Sequence, residues 1–186
     1  MRIIIFGPPG AGKGTQAKKI AEYFNIIHLS TGEMFRRAIN EKNKLGNQVN
    51  SIINNGKLIP DQTVLALVEE NLRDEKYNKG YIIDGFPRTV KQAVAFNKLL
   101  ARRKETLDAF ISLQVHEDEL IKRLQNRGEG RSDDTDENIK IRLDVYKKKT
   151  TPVMTFYKNA GLFRSVDGTG SVDEIFNRIL TALQVR

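Results

Sequence analysis

Nine residues near the start, Gly7-Pro8-Pro9-Gly10-Ala11-Gly12-Lys13-Gly14-Thr15, constrain this chain more than any other segment. They follow the apolar run Ile3-Ile4-Ile5-Phe6 and precede an amphipathic stretch, so they read as a strand, a glycine-rich turn and a helix N-terminus. Such a turn lets consecutive backbone N–H groups point at one anion, and the helix dipole adds partial positive charge. Lys13 brings a full charge to where the β- and γ-phosphates of a nucleotide would lie, and the Thr15 hydroxyl can reach a metal or a phosphate oxygen. The spacing G-x-x-x-x-G-K is that of a phosphate-binding loop (P-loop), with Gly14 where the general motif has Ser or Thr. The competing reading is a tight turn with no ligand. Four glycines, two prolines and a lysine in nine residues argue against it.

Short apolar runs at Arg2–Phe6, Tyr81–Asp84, Ala109–Val115 and Leu162–Val166 read as buried strands, with a weaker one at Ile26–Leu29. Helical patterns separate them: Thr15–Phe24, Thr31–Asn40, Leu45–Asn54, Asp61–Asp74, Val90–Arg102, Glu117–Asn126, Asp136–Lys158 and Val172–Leu183. Strands alternating with helices predict an α/β fold of three layers, a five-stranded parallel sheet flanked by helices. Asp61 and Ser171 look like N-cap or near-cap residues, and Gly56 and Gly161 like helix stops; Pro152 should bend or split the pattern that contains it. Residues 30–59 hold two helical patterns with no strand between them, which marks a helical insertion. The polar, Gly- and Arg-rich residues 126–137 read as a short exposed loop. At 186 residues the chain has room for one domain.

A second constellation is Tyr81-Ile82-Ile83-Asp84-Gly85-Phe86-Pro87-Arg88. An acid at the C-terminal end of a buried strand lies on the edge where open α/β sheets bind ligands. Asp84 there either orders Mg²⁺ through its water shell or caps a turn. Gly85 permits close backbone approach, Pro87 stiffens the turn, and Arg88 projects a guanidinium fork able to grip phosphate. These favour the ligand-binding reading.

The formal net charge is +8, which fits either nucleic acid or small anionic substrates. The chain has no cysteine, so disulfides and Cys-ligated zinc are excluded. No apolar stretch reaches transmembrane length, and Met1-Arg2 leads directly into a strand, so a soluble cytoplasmic protein is expected. Arg102-Arg103-Lys104 and Lys147-Lys148-Lys149 lack interleaved aromatics beyond Tyr146 and read as solvated helix faces. His28 and His116 read as structural or solvated. Phe24, Phe96, Phe110, Phe156 and Phe176 read as core.

Taken together, Gly7–Thr15, Ser30-Thr31-Gly32-Glu33-Met34-Phe35-Arg36 and Asp84–Ala93 resemble the nucleoside monophosphate kinase family, and within it the adenylate kinase branch. The likeness extends to Arg127, Arg131-Ser132-Asp133-Asp134, Arg142 and Val166-Asp167-Gly168-Thr169-Gly170, and Gly14-Thr15 is the form of the loop this family uses. The resemblance implies reversible transfer, MgATP + AMP ⇌ MgADP + ADP, by in-line displacement in a monomer. The implied body is a core, an AMP-binding subdomain at 30–59 and a lid at 126–137. The loop of about ten residues without cysteine resembles the short-lid form, for which no zinc is expected.

The resemblance also implies roles. ATP phosphates fall to Gly10, Ala11, Gly12, Lys13, Gly14 and Thr15, with Arg127 covering ATP and the Gly170 backbone facing its adenine. The AMP phosphate falls to Arg36 and Arg88, in the turn that also holds Gly85, Phe86 and Pro87. Thr31, the backbone of Lys57, Leu58 and Ile59, and the Gln92 side chain frame the AMP base and ribose. Arg131 and Arg142 bridge the phosphates in transfer, and Asp84 organises Mg²⁺. Asp133 and Asp134 either cap the next helix or hold lid arginines or a ribose; their position favours the second. A UMP/CMP kinase would share everything but the Thr31 and Gln92 pair, and a nucleotide- or RNA-binding module would not need a second phosphate site.

Overall fold

Arg2–Phe6 alternates its side chains between two helical layers, and that alternation organises the molecule. Ile3 and Ile5 join one buried cluster while Ile4 and Phe6 join another. A strand apolar on both faces needs cover on both, which is what a central parallel strand has. The computed structural model describes residues 1–126 and 135–184.

The elements in order are β1 (Arg2–Phe6), α1 (Lys13–Phe24), β2 (Ile27–Ser30), α2 (Thr31–Asn40), α3 (Lys44–Asn54), α4 (Asp61–Asn71), β3 (Tyr81–Asp84), α5 (Val90–Arg102), β4 (Ala109–Gln114), α6 (Glu117–Gln125), α7 (Asp136–Val145), α8 (Pro152–Asn159), β5 (Phe163–Asp167) and α9 (Val172–Ala182). A 3₁₀ turn at Glu75–Lys79 precedes β3. The five strands are parallel, in the order β2-β3-β1-β4-β5. The register sets Ile5 beside Asp84 and Ser30 beside Asp84, so the ends of β1, β2 and β3 lie level at one edge.

On one face of the sheet, Phe96 and Leu100 of α5, Val68 of α4 and Tyr157 of α8 pack with Ile4, Ile83 and Phe110. On the other, Ile20 of α1, Leu124 of α6, Leu143 of α7 and Ile179 of α9 pack with Ile3, Ile82 and Ile111. Of the expected core aromatics, Phe96 and Phe110 are fully buried, whereas Phe24, Phe156 and Phe176 are partly buried at the cluster margins.

Two of the sequence expectations hold in detail and one does not. The pattern over 136–158 is split at Pro152 as expected: α7 stops at Val145, Tyr146–Thr150 forms a π turn, and α8 starts with Pro152 in its first turn, where the missing N–H removes no bond. The buried strand expected at Leu162–Val166 is instead β5, the edge strand of the sheet among the described residues, in which only Val166 is buried. Both expected caps stand at helix starts: Ser171 caps α9 in a reciprocal box with Glu174, and Asp61 is the near-cap, the first residue of α4, with no side-chain cap bond there.

The insertion is two helices held tightly together. A Cβ on Gly46 of α3 would overlap the backbone of Ala38 in α2, so glycine sets the closeness of that pair. Gly56, at φ 64°, ends the segment beside α7, where Asn138 donates to the Asn54 carbonyl at 2.8 Å.

Candidate active site

The P-loop runs from β1 into α1 by positive-φ glycines, Gly7 at 149°, Gly10 at 84° and Gly12 at 85°. Gly10 has no room for a side chain: a Cβ would lie 2.9 Å from the Leu120 carbonyl oxygen and 3.0 Å from Leu124. Gly12 is the N-terminal cap of α1 and offers no side chain to the first-turn N–H groups, which leaves them for an anion. Lys13 Nζ donates to the Pro8 carbonyl at 2.9 Å, folded across its own loop.

Across the cleft the wall is built from α2 and the turn after β3. Ser30 caps α2, accepting from the Glu33 N–H at 3.3 Å. Thr31, which is buried, donates to the Asp84 carbonyl at 3.3 Å. Gly85, at φ 82°, then turns the chain, and Phe86 anchors it edge-on to Phe96, ring centres 5.3 Å apart; Phe86–Pro87 is cis. Arg88 Nε donates to the Gly85 carbonyl at 2.8 Å, so the guanidinium is carried on a turn fixed at both ends. Arg36 lies over Gly32, whose absent Cβ leaves room for the guanidinium.

One cleft collects Gly10, Gly12, Lys13, Gly14, Thr31, Arg36, Lys57, Leu58, Ile59, Asp84, Gly85, Phe86, Pro87, Arg88, Gln92 and Arg142. Three expected residues lie outside its lining. Ala11 is packed in the core with its N–H bonded to the Pro8 carbonyl at 3.2 Å; Thr15 is exposed on α1; and Gly170 is exposed in the β5–α9 turn. That turn is clamped by Arg123, which donates to the Gly168 carbonyl at 3.0 Å, and by Arg178, which donates to the Thr169 carbonyl at 2.5 Å. Arg127, Arg131, Asp133 and Asp134 lie outside the described residues.

Asp84 forms the floor. Its Oδ2 lies 3.7 Å from where a Gly14 Cβ would stand, and its Oδ1 is buried with no hydrogen-bond partner among the described residues. A carboxylate oxygen without a partner beside a phosphate loop fits the outer shell of a hydrated Mg²⁺. Among the described residues no group of three His, Cys, Asp or Glu is placed to hold a metal directly. Nearby His28 is half-buried; burial lowers its pKa below 6.5, outweighing the opposing pull of Asp84 and Glu33, while Lys18 lowers it further. Sequence reasoning missed Asp61 and Thr89, which bond to Gln92 from behind, because an acid at a helix start is indistinguishable from a cap.

A phosphate loop on the central strand, facing a second cationic wall across one cleft, defines a P-loop phosphotransferase. A family model described as adenylate kinase matches residues 5–162. Proteins named adenylate kinase from Carboxydothermus hydrogenoformans, Leptospira biflexa and a Mycobacterium species are 41%, 44% and 44% identical to it over 213, 184 and 183 residues. These alignments cover 99%, 98% and 98% of this chain, and 100%, 99% and 99% of the relatives. The chain belongs to the adenylate kinase family, whose reaction, reversible phosphoryl transfer among ATP, AMP and ADP, it catalyses. It is of the family's short-lid form, with α6 ending at Gln125 and α7 starting at Asp136.

Proposed function

We propose that this transfer runs in the cleft between the P-loop and the Arg36–Arg88 wall, with the roles divided as follows. Lys13 and the backbone from Gly10 to Thr15 hold the ATP phosphates. Arg36 and Arg88 hold the AMP phosphate, and Arg142, with Arg127 and Arg131, neutralises charge between them. Thr31, the Lys57–Ile59 backbone and Gln92 receive the AMP base and ribose, and the Gly170 backbone faces the ATP adenine. Asp84 holds Mg²⁺ through water. When bound, the metal supplies charge neutralisation and orientation of the β- and γ-phosphates.

The observation that carries this is the convergence of two cationic walls on one sheet edge. Two polyanions repel, and in water-poor surroundings that repulsion grows, so cations must meet both substrates before their phosphates can approach in line. An AMP phosphate oxygen attacks the γ-phosphorus, the bond to the β-bridging oxygen breaks, and ADP leaves as the product on each side. Because a phosphate monoester loses its second proton at about pH 6, the nucleophile needs no protein base near neutrality. Neither histidine lines the cleft. Closure of residues 30–59 and 126–137 over both nucleotides excludes the water that would otherwise take the phosphoryl group. Nothing in the reaction requires a second subunit, and a cytoplasmic monomer is the form proposed.

The test is transfer from MgATP to AMP, UMP, CMP and GMP in parallel, with Lys13→Met as control. ADP formation that favours AMP and is lost in the control is expected. Preference for UMP or CMP would overturn the assignment of Thr31 and Gln92, and full activity in Lys13→Met would overturn the role of the loop.

A further inference from the structure

Gln92 is 1% exposed, yet it lines the cleft, so its side-chain amide is presented from a packed setting. Both ends of that amide are already engaged. Its Nε2 donates to Asp61 Oδ1 at 2.8 Å, and its Oε1 accepts from the Arg88 N–H at 2.7 Å. Thr89 closes the network, donating to the same Asp61 oxygen at 3.0 Å and accepting from the Gln92 N–H at 3.1 Å.

These partners differ in kind. A carboxylate oxygen only accepts and a backbone N–H only donates. Turning the Gln92 amide over would set oxygen against oxygen at Asp61 and N–H against N–H at Arg88, losing both bonds of the buried Gln92 side chain. Only one orientation survives, and it leaves one N–H and one oxygen lone pair for a ligand in a fixed order.

We infer that Asp61 is a specificity-positioning residue: it locks the Gln92 amide in the orientation that reads adenine in the acceptor nucleotide and refuses guanine. Adenine offers an acceptor at N1 beside a donor at its 6-amino group; guanine offers N1–H beside O6, the same pair reversed. A freely turning glutamine amide satisfies either purine, whereas a locked one satisfies one and leaves the other with facing donors and facing acceptors. The inference rests on the assignment of the AMP base to Gln92, and Asp61 acts on the nucleotide only through that side chain.

Asp61→Asn tests it, because an asparagine amide can donate as readily as accept and so releases one of the two restraints at nearly constant volume. The ratio of kcat/KM for AMP to that for GMP is expected to fall about tenfold or more, with the KM for ATP within about twofold, as for loss of a hydrogen bond used in discrimination. A role confined to starting α4 would lower stability and slow both acceptors alike, and an unchanged ratio would overturn the inference. Asp61→Ser is read the same way should the asparagine variant fold poorly. Gln92→Ala separates the two layers. An unchanged ratio there means Gln92 does not read the base, and the inference falls with that assignment. A collapsed ratio there with an intact one in Asp61→Asn leaves the assignment standing and removes the lock. In the double variant, Asp61→Asn is expected to add nothing to Gln92→Ala; additive changes would also overturn it.

Discussion

Replacing Gly85 by alanine should injure the acceptor side of the cleft through one methyl group. The residue sits at φ 82°, where an L side chain costs about 1 kcal/mol relative to glycine. The new Cβ would stand 2.7 Å from Thr31 Oγ1 and 3.4 Å from an Arg88 guanidinium nitrogen. Thr31 is buried, so relief comes by turning its side chain, which gives up the bond to the Asp84 carbonyl for about another 1 kcal/mol. The sum, about 2 kcal/mol, corresponds to a fall in Tm of about 4–8 °C for a domain of this length. Because Thr31 and Arg88 are the residues proposed to receive AMP while Lys13 lines the same cleft from the P-loop, the KM for AMP should rise about tenfold and that for ATP should stay within about twofold. Thermal unfolding of the nucleotide-free protein and steady-state kinetics with each substrate varied in turn give both readouts. A lowered Tm with both KM values unchanged would refute the link from Gly85 to the acceptor site. An unchanged Tm would refute the steric argument itself.

Two further changes follow from the buried polar groups. Tyr157 is fully buried and stacked on Phe110 at 4.4 Å, and its hydroxyl has no hydrogen-bond partner among the described residues. Tyr157→Phe keeps the stack and removes the orphan, so it should stabilise the protein by about 1 kcal/mol, measured as a higher urea midpoint; destabilisation would show that the hydroxyl is satisfied in solution. Glu105 takes bonds from Arg103 at 2.9 Å and Tyr81 at 3.1 Å and pairs with Arg2 at 3.1 Å. Burial pushes its pKa up, but the Arg103 bond, Arg2 and Tyr81 outweigh burial and hold it below the ordinary 4.5. With the folded value depressed, the stabilisation is present above pH 4.5 and is lost as pH falls through the folded value, where the unfolded chain binds more protons. The stability of the parent over Glu105→Gln should therefore be constant near neutrality and shrink below pH 4.5; a gap independent of pH would contradict this.

The P-loop was legible because its chemistry is local: strand, glycines, lysine and helix lie in one stretch of backbone. Asp84 and Arg88 were legible for the same reason, as the tip of a strand and the turn behind it. Pro152 announced a break, but not that the break would be a π turn over Tyr146–Thr150, since that depends on how α7 and α8 settle on the sheet. Leu162–Val166 looked like a buried strand because apolar content does not reveal whether a partner lies on both sides. Ala11 sits within the motif yet serves packing, which only the core contact of its methyl group discloses. The Asp61–Gln92 bond joins residues 31 positions apart, and no periodicity or spacing signals a contact between two helix N-termini.

Placing the P-loop strand in the middle of the sheet also divides labour in time. β1 is laddered to β3 on one side and β4 on the other, so the phosphate loop is mounted on a strand held from both sides. The helical insertion, by contrast, is hung from the sheet between the end of β2 at Ser30 and the start of α4 at Asp61. On the proposed closure of residues 30–59 over AMP, the pace of the cycle would be set at those two attachment points, while the loop proposed to hold the ATP phosphates stays fixed on the sheet.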